Sequence, residues 1–350
     1  MALIGALALT FADWAKRHDD AGKTQQIIEL LAQTNEVLED MLVVEANSLN
    51  GHVTTVRTGL PSATWRLLNY GVPTGKSTTA KVTDGMGMLE TWSTVDKALA
   101  DMNGNTAEFR LSEDLAFLEG MSQQMATTIF YGNAALNPER FTGLSPRYNT
   151  ISTATALSAS NVIDMGGVGA TNTSIWMVTW GARTCHGIFP KGGNSGFQMK
   201  DLGDLVPIRD ANGNEYRGYR THFKWDNGLS LRDWRYVVRM CNIDVTQLAT
   251  LAPPDIIRAL IRAGHRLPTQ PPAVGTEQSI GQGGMKMGSD MGRVAIYANR
   301  TIRTYLDIQA LNKANVLLKF DEWDGKPVTK FRGVPIRTCD ALLNTEAAVT

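Results

Sequence analysis

The string that comes nearest to chemistry in this sequence is GVPTGKST, Gly71 to Thr78. A phosphate-binding loop needs G-x-x-x-x-G-K-[ST], so that backbone N–H groups cradle the phosphates and the lysine neutralises them. Lys76 and Ser77 match the end of that pattern, but Gly71 and Gly75 stand one residue too close together. A phosphate loop also opens a helix, whereas TTAKVTDG continues here in strand chemistry. The reading is a turn tip, with a nucleotide hydrolase using Lys76 and Ser77 as the enzyme alternative. DANGNEYRG, from Asp210, has some likeness to a calcium loop. Its Gly213 stands fourth where the sixth position is required, and Thr221 stands twelfth where a bidentate Glu belongs. A hairpin turn accounts for it better.

The remaining reactive residue types are scattered. Cys185, Cys241 and Cys339 are odd in number and fit neither a disulfide framework nor a C-x-x-C clip, so they read as small core residues in a reducing compartment. Of His18, His52, His186, His222 and His265, only His186 adjoins a cysteine, and neighbours on a strand point to opposite faces, so Cys185-His186 is structural. GGVG at 166–169 lacks the spacing of a dinucleotide loop, and Asp233 between Arg232 and Arg235 reads as a strand-surface ion pair. No G-x-S-x-G elbow, H-E-x-x-H or paired metal cluster occurs, so no enzyme activity, cofactor or metal is expected. RGYRTHFKWD and RDWRYVVR interleave aromatic and basic residues as a stacking platform for single-stranded nucleic acid would. Strand alternation makes them a packed sheet with a solvated Arg face instead.

Charge supports that choice. Lys+Arg number 34 and Asp+Glu 34, a formal net charge of zero, which excludes a strongly basic nucleic-acid binder and an acidic tail protein. With 43% hydrophobic and 19% charged residues, the 350-residue chain can bury a core, and its length suggests roughly two domains. The apolar stretch from Met1 to Leu9 plus Phe11 has no basic region before it and is interrupted by Asp13. It is far shorter than the roughly 20 residues of a membrane span, so a soluble, non-exported chain with no membrane partner is expected.

The elements read as follows. Ile27, Leu30, Leu31, Val37, Leu38, Met41 and Leu42 predict an amphipathic helix over 24–42, preceded by a short helical arm around Phe11 and Trp14. GHVTTVRTG, KSTTAKVTDG and GMLETWSTV are Thr- and Val-rich strands, with a turn over Gly71–Gly75 around Pro73. The first two are polar on both faces and could not persist alone in water, which hints at a neighbouring subunit. Asn105 and Glu108 suggest a capping box for a helix over 107–131, with Leu111, Leu115, Leu118, Met121 (or Ser122), Met125 and Ile129 recurring along one stripe and Gly132 as its stop. Residues 150–172 read as loop and short elements, SIWMVTWG as a buried strand, and HGIFPKGGNSG as a turn region. Asn212-Gly213 and Asn227-Gly228 predict hairpin turns of an antiparallel meander. PPDIIRALIRAGH predicts a helix, 268–291 a surface loop, GRVAIYANRTIRTYLDIQALNK a strand and helix, and VTKFRGVPIRTCDAL paired strands.

In this order the segments resemble a known family. LTFADWAKRHD, IIELLAQTNEVLEDM, GHVTTVRTGLPSATWRLLNYGV, FRLSEDLAFLEGM, FTGLSPRYN, GLSLRDWRYVVRMCNID and FRGVPIRTCDALLNTEA are similar to segments of the major capsid proteins of tailed, above all short-tailed, bacteriophages with the Hong Kong 97-like fold. The resemblance implies an α+β fold: an N-terminal arm over 1–50, an extended loop over 51–90, and a peripheral domain over 91–149 with its spine helix at 107–131. An axial domain over 150–325 sends strands back to the periphery, and 326–350 supplies the closing peripheral strands.

The implied function is structural: hexamers and pentamers closing into an icosahedral shell around double-stranded DNA, within the virion, after assembly in the bacterial host cytoplasm. Implied partners are the chain itself, a separate scaffolding protein, a portal protein at one vertex, a possible cement protein and non-specifically held DNA. Trp14 in the arm and Trp65, Arg66, Tyr70 and Lys76 in the extended loop become candidates for contact with neighbouring subunits. Lys76 is a conceivable donor for the covalent cross-link of some relatives, but no acceptor or assisting glutamate matches, so noncovalent contacts are expected. An encapsulin-type compartment shell is the alternative that keeps the fold.

Overall fold

The computed structural model describes residues 9–10, 13, 31–48, 51–102, 104–204, 207–209, 212–250, 253–268, 292–311, 318–323 and 326–350. The chain enters through α1 (Val37–Asp40) and β1 (Val43–Glu45), then forms β2 (His52–Gly59), β3 (Thr78–Asp84) and β4 (Met86–Asp96). A short α2 (Lys97–Ala100) leads into α3 (Thr106–Tyr131). Single 3₁₀ turns at Ser145–Tyr148 and Leu157–Asn161 precede β5 (Val162–Asp164), β6 (Asn172–Trp180), β7 (Cys185–Phe189) and β8 (Phe197–Asp201). Next come β9 (Ile208–Arg209), β10 (Glu215–Tyr216), the long β11 (Gly218–Leu231) and β12 (Val237–Asp244). Helices α4 (Val245–Leu248) and α5 (Ile256–Arg266), β13 (Arg293–Ala298), α6 (Arg300–Leu311), β14 (Leu318–Trp323), β15 (Lys326–Phe331) and β16 (Val334–Thr338) complete the order.

Twelve of these strands form one mixed sheet, with β14, β15, β16, β13, β6, β7, β11 and β4 along its main path. β6 is buried at every residue because the two faces of the sheet serve different cores. Trp176, Val178 and Trp180 point to a cluster with Met125, Ile129 and Phe130 of α3, while Ile175 and Met177 join α5 and α6 on the other side. β12 does the same with Val237 and Cys241 on one face and Val238 and Met240 on the other. A strand covered on both faces reads as a continuous apolar run, which is why SIWMVTW shows no alternation. At the far end of the sheet, β4 and β11 pair antiparallel from Gly218 opposite Asp96 to Gly228 opposite Met86. Phe223 of β11 stacks there on Phe117 of α3, with ring centroids 6.4 Å apart.

Several expectations need correction. Residues 32–35 are not helical, and within 31–42 only Val37–Asp40 forms a helix; residues 24–30 lie outside the described residues. The segment is held instead by the C-terminal chain: Asn35 bridges Cys339, and Arg337 donates to Glu36 at 2.8 Å. Asn227-Gly228 is no turn but the middle of β11. Its glycine serves close packing, since a Cβ there would stand 2.7 Å from the Gly85 carbonyl and 2.9 Å from Ile188. The expected meander is absent, because β11 pairs with β4, β7 and β8, and β12 with β5 and β6.

The Asn105 side chain makes no backbone cap for α3, donating instead to the Glu108 carboxylate at 2.9 Å. Leu111 and Leu115 are exposed on α3, so its buried stripe runs from Phe109 through Asp114 to Met121, Met125 and Ile129. Gly132 does end the helix, yet at a φ of −54°; a Cβ would strike the Phe141 carbonyl at 2.4 Å, so close approach and not left-handed geometry requires the glycine. The turn expected over Gly71–Gly75 sits earlier, at Leu68-Asn69, where Asn69 has a φ of 68°. The Asp233–Arg235 pair forms at 2.7 Å on a 3₁₀ turn and not on a strand. Asn212-Gly213 does turn the β9–β10 hairpin, with Gly213 at a φ of 85°.

Candidate assembly interface

The hairpin of β2 and β3 runs from His52 opposite Asp84 to Gly59 opposite Thr78 and joins no other strand among the described residues. Its Thr, Val and Lys side chains extend the chain but supply too little apolar surface to build a core. Every residue from 60 to 83 is exposed. At the tip, Trp65 is 104% exposed and Leu68 87%, with Leu60, Leu67, Tyr70 and Val72 also open. A two-stranded hairpin in water is marginal, and this many large apolar side chains left open on one segment is the composition of a contact surface. Trp65, Arg66, Tyr70 and Lys76 thus all lie on one projecting segment, whereas Trp14 lies outside the described residues.

The root of the hairpin is built differently. Asp84 is buried and paired with Arg147 at 2.9 Å, and its second oxygen accepts the Leu231 N–H at 3.3 Å. Arg232 donates to His52 Nε2 at 2.6 Å, and the His52 ring stands edge-on to His186 with centroids 5.3 Å apart. Both imidazoles are buried. Burial, reinforced by the Arg232 charge, lowers the His52 pKa, and the same causes with His52 itself push His186 down to about 4. Neither ring nitrogen of His186 has a hydrogen-bond partner of normal geometry. Sequence reading missed this cluster, since only the pairing of β7 with β11 and the return of β3 bring the residues together.

The other chemical candidates do not converge. Lys76 and Ser77 lie in an extended stretch that enters β3 rather than a helix, which removes the geometry of a phosphate loop. All three cysteines are buried thiols, and burial pushes Cys185 up to about 12, the reverse of an activated nucleophile. Among the described residues, no three His, Cys, Asp or Glu side chains gather to hold a metal, and no helix is long and apolar enough to cross a membrane. The interleaved aromatic and basic residues of β11 pack as a sheet: Trp92 stacks on His222 at 4.1 Å, and Arg220 lies over Trp92 at 4.3 Å. The strongest buried charge is structural. Arg239 meets Glu346 at 2.8 Å and the Tyr148 carbonyl at 2.9 Å, while Tyr131 at the end of α3 donates to Glu346 at 2.5 Å, locking the C-terminal chain across the core.

A projecting hairpin on a mixed sheet backed by a 26-residue helix is the arrangement that the sequence resemblance implied. The family model described as major capsid protein GP7 matches residues 19–350. The chain belongs to this family. It is a phage major capsid protein with the Hong Kong 97-like fold, and its copies form an icosahedral shell. The structure of bacteriophage epsilon15, derived from cryo-EM and modelling, contains a chain 38% identical to this capsid protein; the match covers 100% of both chains with a TM-score of 0.72. A bacteriophage JBD30 capsid chain is 10% identical, over 89% of this chain and 92% of its own, with a TM-score of 0.46. A chain from the capsid of a native GTA particle is 12% identical, over 67% and 99%, with a TM-score of 0.41. Among curated proteins none matches the capsid protein. Neither the encapsulin nor the hydrolase alternative finds support in these relationships.

Proposed function

We propose that the capsid protein assembles as hexamers and pentamers whose contacts are made by the β2–β3 hairpin lying over a neighbouring subunit, enclosing double-stranded DNA without enzymatic activity of its own. The carrying observation is the fully exposed segment from 60 to 83 with Trp65 at its tip. Many weak contacts of this kind, repeated around closed rings, sum to a stable shell. In this reading 1–50 is the N-terminal arm and 51–90 the extended loop. Residues 91–149, with α3 and the returning β11, form the peripheral domain, joined by 326–350; the rest of 150–325, around β6, β12, α5 and α6, forms the axial domain. The pairing of β4 with β11 supports the peripheral assignment and the cluster beneath α5 and α6 the axial one, although Phe331 and Ile336 of the closing segment pack in that second cluster. Net charge zero suits a shell that holds its genome non-specifically and releases it. A separate scaffolding protein, a portal, a cement protein and assembly in the host cytoplasm belong to the proposal through the family resemblance.

The test is a Trp65→Ala variant examined by negative-stain microscopy and by denaturant unfolding. The expected result is a folded subunit with an unchanged midpoint that forms few or no closed shells. Normal shells from this variant would remove Trp65 from the interface.

A further inference from the structure

The hairpin that projects from the sheet departs from the rest of the chain in its charge. Between His52 and Thr83 stand Arg57, Arg66, Lys76 and Lys81 with no Asp or Glu, although the whole chain balances 34 cations against 34 acids. Several arginines of the body are neutralised: Arg147 by Asp84 at 2.9 Å, Arg239 by Glu346 at 2.8 Å and Arg337 by Glu36 at 2.8 Å. Among the described residues, none of the four hairpin cations meets a carboxylate.

The strand register sorts these charges. Thr55 lies opposite Lys81 and Arg57 opposite Thr79, so Arg57 and Lys81 share one face as diagonal neighbours, about 7–8 Å apart. Val56, Ala80 and Val82 occupy the other face. Like charges at that distance repel, and a partner that brings negative charge along the strands relieves both. Beyond them two aromatic rings, Trp65 and Tyr70, stand open on either side of a turn in which the Tyr70 N–H donates to the Leu67 carbonyl at 3.2 Å. Arg66 adjoins the first ring, and Lys76 lies on the return towards β3.

A row of cations ending in open aromatic rings is the pattern of a single-strand binder: phosphates follow the charge, and unpaired bases stack on the rings. A duplex hides the faces of its bases and would leave both rings unused. An anionic lipid surface suits Leu67 and Leu68 but would meet the tip alone, whereas Arg57 and Lys81 stand down the strands.

We infer that the hairpin of the unassembled subunit binds single-stranded nucleic acid without sequence preference, with bases stacked on Trp65 and Tyr70 and phosphates held by Arg57, Arg66, Lys76 and Lys81. This rests on the reading of the hairpin as an assembly contact, since a bound strand and a neighbouring subunit exclude each other. Free single strands therefore slow shell closure.

The test titrates full-length subunits, kept below the concentration at which shells form, into a labelled oligothymidylate and follows its anisotropy. With four cations engaged, at about 0.7 per phosphate, log affinity should fall against log salt with a slope of about −3. That is roughly a fiftyfold loss between about 50 and 200 mM salt. Arg57→Gln combined with Lys81→Gln should halve the slope, and Trp65→Ala should weaken binding at least fivefold with the slope unchanged. The control is Arg258→Gln combined with Arg262→Gln, on the exposed face of α5, which should bind as the unaltered chain does. Absence of binding, a slope that the hairpin pair leaves unchanged, or a loss from the α5 pair in its place would overturn the inference. Binding to phosphatidylserine vesicles but not to the strand would overturn it as well. None of these outcomes bears on whether the hairpin crosses to a neighbour, which the shell yield of the Trp65→Ala variant reads.

Discussion

Two antiparallel strand pairs in this molecule share β-branched residues and differ in almost everything else. β6 and β12 are buried at every position, and their side chains serve two cores at once. β2 and β3 are of similar length, yet β3 is exposed along its whole run until Asp84. The difference lies in mass: SIWMVTW offers large apolar groups on both faces, whereas TTAKVT offers threonine methyls and a lysine stem. Strand propensity alone makes both extended, and burial decides which is stable within one subunit. The first pair therefore carries folding, while the second is the pair proposed to carry assembly.

The largest effect expected from this division is in the core pair. Trp176→Ala removes a fully buried indole that meets Phe130 and Tyr148, and it should cost about 3–5 kcal/mol of subunit stability, read as a lower denaturant midpoint. A change confined to assembly would break the comparison.

Next comes acid, acting where the two regions meet. His186 has a folded-state pKa of about 4 against an ordinary value of 6.5, so the unfolded chain takes up the proton first. Stability is complete above pH 6.5 and is lost as pH falls towards 4, by about 3 kcal/mol at most, with His52 adding in the same direction. Arg232 and Asp84 are the charges that act on the pair, Arg183 acts on Arg232, and the Asp84 carboxylate is already engaged by Arg147. Unfolding measured between pH 4 and 7 should show this slope, and His186→Gln should flatten it.

A smaller loss, about 1–3 kcal/mol, is expected for Gly228→Ala, because the added methyl strikes the Gly85 carbonyl where β11 passes the end of the hairpin. The midpoint of unfolding again reads it.

Much of this division was legible in the sequence. The helix predicted over 107–131 is α3 at Thr106–Tyr131, and the hairpin strands follow from Thr-rich runs between glycines. What failed depends on partners distant along the chain. Asn227-Gly228 carries a turn signature, but its glycine answers to Gly85 and Ile188 across the sheet. Leu111 and Leu115 have the spacing of a buried stripe, yet the sheet packs against α3 one step around, through Phe109 and Asp114. The helix expected over 24–42 gives way, in its described part, to contacts with Arg337 and Cys339. That Trp65, Arg66, Tyr70 and Lys76 share one exposed segment was legible because the strand pair that carries them has no core of its own. A hollow between β4 and α3 was not legible, since the two elements create it only when packed.

The central claim, that the hairpin is completed by a neighbour, is tested most directly by hydrogen exchange over residues 52–84 in free subunits and in closed shells. The account predicts rapid exchange in the free subunit, strong protection in the shell, and little change in β6 and β12. Equal exchange of the hairpin in both states would contradict it.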